Sequence, residues 1–309
     1  MGFAMPELPD VDVYVIRLRE RILGKPFERI VVKSPFLVRT VTPAPSAILG
    51  REVESVTRRG KRIVIGGRGG PIMAIHLMVA GRFQWKPHGT LPKTKMDLAA
   101  FTFPSGTLLL TEASTKKRAS IHMAENEAAL DALLGPTSLE PLRATAEQFR
   151  EAMRRENRTL KRALTDPRIL SGIGNSYSDE ILHAAMLSPA TRTASLDDAA
   201  FETLRLAIVN TLTTWRERLE KASANEFPKK VTAFHPEMAV HGKFGKPCPR
   251  CGSPVQRIVY AENESNYCPR CQTGGKLLAD RAFSRLLGSD WPKTLEALEE
   301  RMGRAKLDG

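Results

Sequence analysis

Met5-Pro6-Glu7-Leu8-Pro9-Asp10-Val11-Asp12 is the stretch on which the reading of the fold turns. Taken alone, its two prolines punctuate the chain before a helix, and Glu7 is a carboxylate of the kind a helix N-terminus favours. Beyond it, Val13, Ile16, Leu18, Ile22 and Leu23 stand among Arg and Glu, a spacing that predicts an amphipathic helix over residues 13–23. From about residue 28 to 123 the pattern turns to short β-rich runs: Ile30–Val32, Arg62–Ile65, Ile72–Leu77 and Ala99–Thr111. Pro104-Ser105-Gly106 marks a turn between two of them. Several strands joined by hairpins predict a β-sandwich or barrel.

Further on the period changes. Gly135-Pro136 and Pro141 mark a boundary, after which Phe149, Met153, Leu160 and Leu164 recur at helical intervals, as do Leu204, Ile208, Leu212, Trp215 and Leu219. Residues 225–245 read as loop. A tail over 276–309, with Leu277, Leu278, Phe283, Leu286 and Leu287, predicts a further helix packed on the body. The organisation expected is thus α+β and multidomain. Residues 1–135 form a β-sandwich with an N-terminal helix, 136–240 a helical domain, 241–275 a cysteine finger and 276–309 a helical extension.

Composition bounds the function. The 309 residues are 42% apolar and 26% charged, the make-up of a globular chain long enough for about two domains. Lys and Arg number 47 against 34 Asp and Glu, a net charge of +13, which favours a polyanionic partner. The longest strongly apolar stretch, Gly69 to Gly81, holds 13 residues, whereas a spanning helix needs roughly 20. An integral helical membrane protein is excluded on that ground. Pro6, Glu7, Pro9 and Asp10 break up any signal-peptide core. Four cysteines are too few for a disulfide-stapled secreted scaffold. A cytoplasmic, nucleoid-associated monomer is expected.

Cys248-Pro-Arg-Cys251 and Cys268-Pro-Arg-Cys271 are two knuckles with sixteen residues between them. Each places two thiolates on one metal, and Zn²⁺ prefers four ligands in a tetrahedron. The reading is one structural zinc ion, closed to catalysis because all four ligands are protein. Val255–Tyr260 and the residues before Cys268 are expected to form two strands with a turn near Asn263. Upstream, Leu170-Ser171-Gly172-Ile173-Gly174-Asn175 lies between two helical runs, with Lys161 and Arg162 before it. It reads equally as a structural turn or as a phosphate site at a helix start.

Four features in this order, namely Pro6-Glu7, Arg58-Arg59-Gly60-Lys61, the turn through Gly174-Asn175 and the four-cysteine finger, resemble the formamidopyrimidine-DNA glycosylase/endonuclease VIII family. The resemblance spans about residues 5 to 272. It implies that the helical part is a helix–two-turn–helix domain. It also implies a bifunctional DNA glycosylase and abasic-site lyase acting on double-stranded DNA that contains damaged, oxidised bases or abasic sites. By that resemblance Pro6 supplies a secondary amine that attacks C1′ of the damaged nucleotide and forms a Schiff base. An α-amino group, with a pKa of about 7.7–8.0, is far better suited to this than a lysine near 10.4. Glu7 assists sugar-ring opening as general acid, and Lys61 contacts the phosphate near the lesion. Asn175 binds phosphate, joined by Lys161. Tyr177, Asp179 and Glu180 read as packing and capping residues.

The chain also departs from the family pattern. Met1-Gly2-Phe3-Ala4 precede the expected start, so the chemistry implies translation from Met5 and removal of that methionine. The loop after the strand ending at His76 offers Met78 or Val79 as the wedge that replaces a flipped nucleotide. Thr115-Lys116-Lys117-Arg118 stands where relatives have Arg-Arg-Phe, leaving Arg118 as the candidate contact. At the finger turn Asn263, between Glu262 and Glu264, replaces a phosphate-binding arginine, with Arg257 on the hairpin or Arg270 in the second knuckle as a substitute. These changes point to a divergent branch and leave oxidised purines and pyrimidines both open. The alternatives are a noncatalytic DNA-binding protein of the same fold and a zinc-containing RNA-binding protein.

Overall fold

The computed structural model describes residues 5–136, 138–228, 235–260, 263–279 and 292–300. Two compact units emerge, Met1–Ser138 with Thr213–Thr232, and Leu139–Leu212 with Ala233–Gly309.

The first unit opens with helix α1, Leu8–Ile22. It starts five residues before the 13–23 helix that apolar spacing suggests. Proline is tolerated in a first helical turn, where its missing N–H has no partner to lose, so Pro9 lies inside the helix instead of stopping it. Eight strands follow: β1 (Arg29–Val32), β2 (Val53–Arg59), β3 (Arg62–Gly67), β4 (Ile72–His76), β5 (Gly81–Lys86), β6 (Asp97–Phe103), β7 (Gly106–Glu112) and β8 (Ser120–Ala124). They form two antiparallel four-stranded sheets, ordered β1-β6-β7-β5 and β2-β3-β4-β8. One apolar core joins Ile63, Ile65, Met73, Ile75 and Ile121 of one sheet to Phe83, Phe101, Phe103, Leu108 and Leu110 of the other. Tyr14, Leu18 and Ile22 of α1 close it, as does Phe227 from the segment after the last long helix. This is the expected sandwich. The two-residue side-chain period sends Val64 and Ala74 to the opposite face, where Leu130 of helix α2 (Glu127–Leu134) covers them.

The second unit holds α3 (Ala146–Arg154), α4 (Leu160–Thr165), α5 (Asn175–Ala184) and the first part of α6 (Asp198–Ala222). Thr145 and Gln148 form a capping box that starts α3. A hairpin, β9 (Gln256–Tyr260) with β10 (Asn263–Tyr267), leads into the short helix α7 (Pro269–Thr273). The hairpin follows the sequence expectation. In the tail, Lys276 bridges Thr294 and Leu295 is buried, while residues 295–300 are helical. The tail helix expected around Phe283, Leu286 and Leu287 lies outside the described residues. Among the described residues no helix is long and apolar enough to cross a membrane.

Candidate active site and metal centre

Glu7 is the N-cap of α1, and with Asp10 it forms a reciprocal capping box. The Glu7 N–H donates to Asp10 Oδ2 at 3.0 Å, and the Asp10 N–H donates to the Glu7 carboxylate. Pro6, Glu7 and Asp10 are all buried. Two residues beyond Asp10, Asp12 pairs with Arg58 of β2 at 2.5 Å, and Arg58 Nη1 donates to the Gly60 carbonyl at 3.2 Å. Arg59 and Arg62 face each other across the β2–β3 hairpin, so its turn is Gly60-Lys61. Gly60 has φ +60°, the left-handed value such a tight turn needs at its first central residue. The start of α1 and the turn bearing Lys61 are therefore connected through two named contacts.

Arg62 stands opposite His76 across the β3–β4 pair, and the charges of Lys61 and His122 also act on the His76 ring. Burial, followed by the charges of Arg62 and Lys61, pushes the His76 imidazole down to about 3. The ring is neutral near pH 7, and its Nδ1 accepts the Met78 N–H at 3.2 Å, which leaves the proton on Nε2. Among the described residues, Arg62 Nε and His122 Nδ1 are buried without a hydrogen-bond partner.

Met78 sits in the tight turn from Leu77 to Gly81, closed by the Gly81 N–H on the Leu77 carbonyl at 2.9 Å. Its φ is +54°, a conformation that costs a side-chain-bearing residue about 1–2 kcal/mol. Arg82 holds the turn by donating through Nη1 to the Val79 and Gly81 carbonyls at 3.2 and 2.6 Å. Gly81 is required there, since a Cβ would lie 2.0 Å from the Leu77 oxygen. The segment ending in Arg118 folds round the buried carboxylate of Glu112, which accepts the Arg118 and Ala119 N–H groups and the Ser114 hydroxyl. Lys117 donates to the Glu112 carbonyl, while the Arg118 side chain stays exposed.

In the second unit, Gly172 (φ +80°) precedes α5, whose first residue is Asn175. The structure brings Asn175 and Lys161 together: Lys161 Nζ donates to the Asn175 carbonyl at 2.7 Å and to Asp179 Oδ1 at 2.6 Å. The lysine thus braces the turn from within. Burial alone would raise the Asp179 carboxyl, but the Lys161 charge and the His241 hydrogen bond hold it below its usual range. Asp179 also accepts from Ser265 and from the Asn266 N–H of β10. Glu180 accepts the N–H groups of Ala239, Val240 and His241, all within 2.9 Å. These adjacent buried carboxylates knit α5 to the finger, a role the sequence reading reduced to packing and capping. Two adjacent acids on one helix with no lysine or arginine within four residues were the available signal.

The four cysteine sulfurs lie within 4.8 Å of one another and are unbridged. Cys251 and Cys268 are 3.4 Å apart, Cys248 and Cys271 4.0 Å. Four thiolates at about 2.3 Å from a central zinc stand about 3.8 Å apart, so the residues fit the ion. Cys248, Cys251, Cys268 and Cys271 make a closed site for one structural zinc. Arg257, on β9, lies 4.5 Å over the Phe244 ring and 3.5 Å from Glu264. The Glu262 position and the Asn263 side chain lie outside the described residues.

Comparison with known proteins bears on this arrangement directly. Residues 5–118 match the formamidopyrimidine-DNA glycosylase N-terminal domain, 134–224 its H2TH domain, and 245–274 the zinc finger found in FPG and IleRS. A β-sandwich, a helix–two-turn–helix domain and a four-cysteine finger in that order define a zinc-finger DNA glycosylase. The formamidopyrimidine-DNA glycosylase of Carboxydothermus hydrogenoformans is 32% identical over 273 residues, covering 87% of this chain and all of the relative. That of Thermus thermophilus is 32% identical over 277 residues, covering 88% and 100%. Among solved structures, Lactococcus lactis formamidopyrimidine-DNA glycosylase bound to a Fapy-dG-containing DNA superposes with a TM-score of 0.76 at 25% identity, covering 86% of this chain and 100% of that one. The same enzyme with abasic-site DNA gives 0.75 at 25%, covering 86% and 99%. The chain belongs to the formamidopyrimidine-DNA glycosylase family and is a DNA-repair enzyme that excises damaged bases.

Proposed function

We propose that the protein is a bifunctional enzyme that removes formamidopyrimidine-type and other oxidised bases from double-stranded DNA and then cleaves the strand at the resulting abasic site. The observation that carries this reading is the junction at the start of α1. Pro6 precedes a capped Glu7, and the Asp12–Arg58–Gly60 contacts run from the same helix to Lys61. The names of the relatives, and the Fapy-dG and abasic-site DNA held by the structural neighbours, support the substrate class.

The chemistry begins when Pro6 is the terminal residue and its ring nitrogen is unprotonated. That nitrogen attacks C1′, the C1′–base bond breaks, and the base leaves with a proton. Glu7 protonates the ring oxygen, so that the sugar opens to an iminium. The iminium draws electrons from the C2′–H bond, and the 3′ phosphate departs by elimination. Hydrolysis frees the amine. In this scheme Lys61 and Asn175 bind DNA phosphates, with Lys161 positioning Asn175 from behind and Arg257 contacting the backbone from the finger, while Arg118 faces the base opposite the lesion. Met78 fills the gap left by the flipped nucleotide. Zinc holds the finger hairpin in shape and takes no part in bond breaking.

The test is incubation of the protein, its N-terminus verified as Pro6, with abasic-site or Fapy-dG duplexes and borohydride. Reduction of the iminium should give a covalent protein–DNA adduct. Its absence on both duplexes rejects the lyase reading.

A further inference from the structure

Zinc held by four thiolates carries a net negative charge, and burying that charge is costly unless N–H groups donate to the sulfurs. One ring nitrogen from outside the finger reaches a sulfur. His183, near the C-terminal end of α5, places Nε2 3.2 Å from Cys248 Sγ across 65 residues of sequence. Both residues are buried. His183 is not a member of the cluster whose ligand atoms all lie within 4.8 Å of one another, so its ring stands outside the tetrahedron, beside one ligand. The two knuckles also grip the same end of the helix. Arg250 donates to the His183 and Ala184 carbonyls at 3.0 and 3.4 Å, which satisfies the acceptors a helix leaves open at its C-terminus. Gln272 donates to the Leu187 carbonyl at 2.9 Å while accepting the Cys268 N–H at 2.8 Å.

We propose that His183 is a positioning residue of the metal centre, donating its Nε2–H to the Cys248 thiolate and thereby coupling zinc retention to the seating of α5. A hydrogen bond to a charged sulfur lowers the electron density available to acids and alkylating agents, and it orients the ligand. Arg250 alone clamps the helix end but reaches no sulfur among the described contacts, so the link to the metal itself runs through the imidazole.

The experiment uses the full chain, zinc-loaded, as wild type, His183→Phe and His183→Gln. Zinc transfer to a chromophoric chelator should be about 10–100-fold easier from the Phe variant, and Gln, which keeps an N–H, should restore retention. In the cobalt-substituted proteins the thiolate-to-metal charge-transfer band should shift in the Phe variant and return in the Gln variant. Wild-type retention in the Phe variant, or weaker retention with an unmoved band, overturns the proposal. If the Phe variant does not fold, cadmium-substituted wild type decides. A slowly exchanging His183 Nε2 proton with scalar coupling to the metal supports the bond, and a ring protonated on Nδ1 alone refutes it.

Discussion

Asp12 Oδ1 lies 2.5 Å from Arg58 Nε, and the same guanidinium donates to the Gly60 carbonyl. Helix α1 thereby sets the position of the turn that presents Lys61, although 46 residues separate the two partners. The pair is partly buried, with side chains 10% and 18% exposed, so removing one partner leaves a charge poorly solvated. Asp12→Asn should cost about 1–3 kcal/mol in urea unfolding. It should also slow strand cleavage more than it weakens binding of an uncleavable abasic duplex. Equal losses in both assays would place the pair's role in stability alone.

Asp179 is fully buried and balances Lys161. Asp179→Asn keeps the shape but strands the ammonium, a change that costs about 3–5 kcal/mol when a buried pair is broken. Calorimetry should show a large fall in the melting temperature of the second unit. The double variant Asp179→Asn with Lys161→Met should recover part of it, because no uncompensated charge then remains.

These pieces differ in how plainly the sequence showed them. The cysteine spacing alone specified the metal site, because two thiolates per knuckle admit few other arrangements. The strands with continuous apolar runs, such as β6 and β7, were equally plain. β2 was not, since Val53-Glu-Ser-Val-Thr-Arg-Arg59 has only two apolar residues and owes its strand to pairing with β3. The start of α1 was obscured by Pro9, which reads as a breaker and here occupies the first turn. Least visible were Asp12–Arg58, Lys161–Asp179 and His183–Cys248. Each joins residues far apart in sequence, and single-sequence spacing carries no signal for such pairs.

Met78 pays a conformational penalty at φ +54° that glycine would not. Met78→Gly should leave stability unchanged or raise it by up to about 1 kcal/mol, after the entropy of the freer unfolded chain is counted. Base excision from a duplex should nonetheless fall, while cleavage of a pre-formed abasic site should fall less. A wedge that assists flipping matters most when a stacked base must leave the helix. Unchanged excision would remove Met78 from that role.

His76 gives a pH dependence with a definite sign. Its folded pKa of about 3 lies below the usual 6.5, so the unfolded chain takes up the proton first as pH falls. The stability it contributes is complete above about pH 6.5 and is lost progressively toward pH 3. At pH 5 the loss is about 2 kcal/mol by linkage. Urea midpoints at pH 7 and pH 5 should therefore drop less for His76→Gln than for wild type. Parallel drops would assign the acid sensitivity to other groups.

The nucleophile itself is tested most directly by locating the bond. Protein trapped on abasic DNA with borohydride is digested, and the deoxyribose remnant is mapped by mass spectrometry. The remnant should sit on the nitrogen of Pro6, in a peptide that begins at Pro6. A remnant on the Lys61 side chain, or cleaved DNA from protein in which Met5 still precedes Pro6, would contradict it.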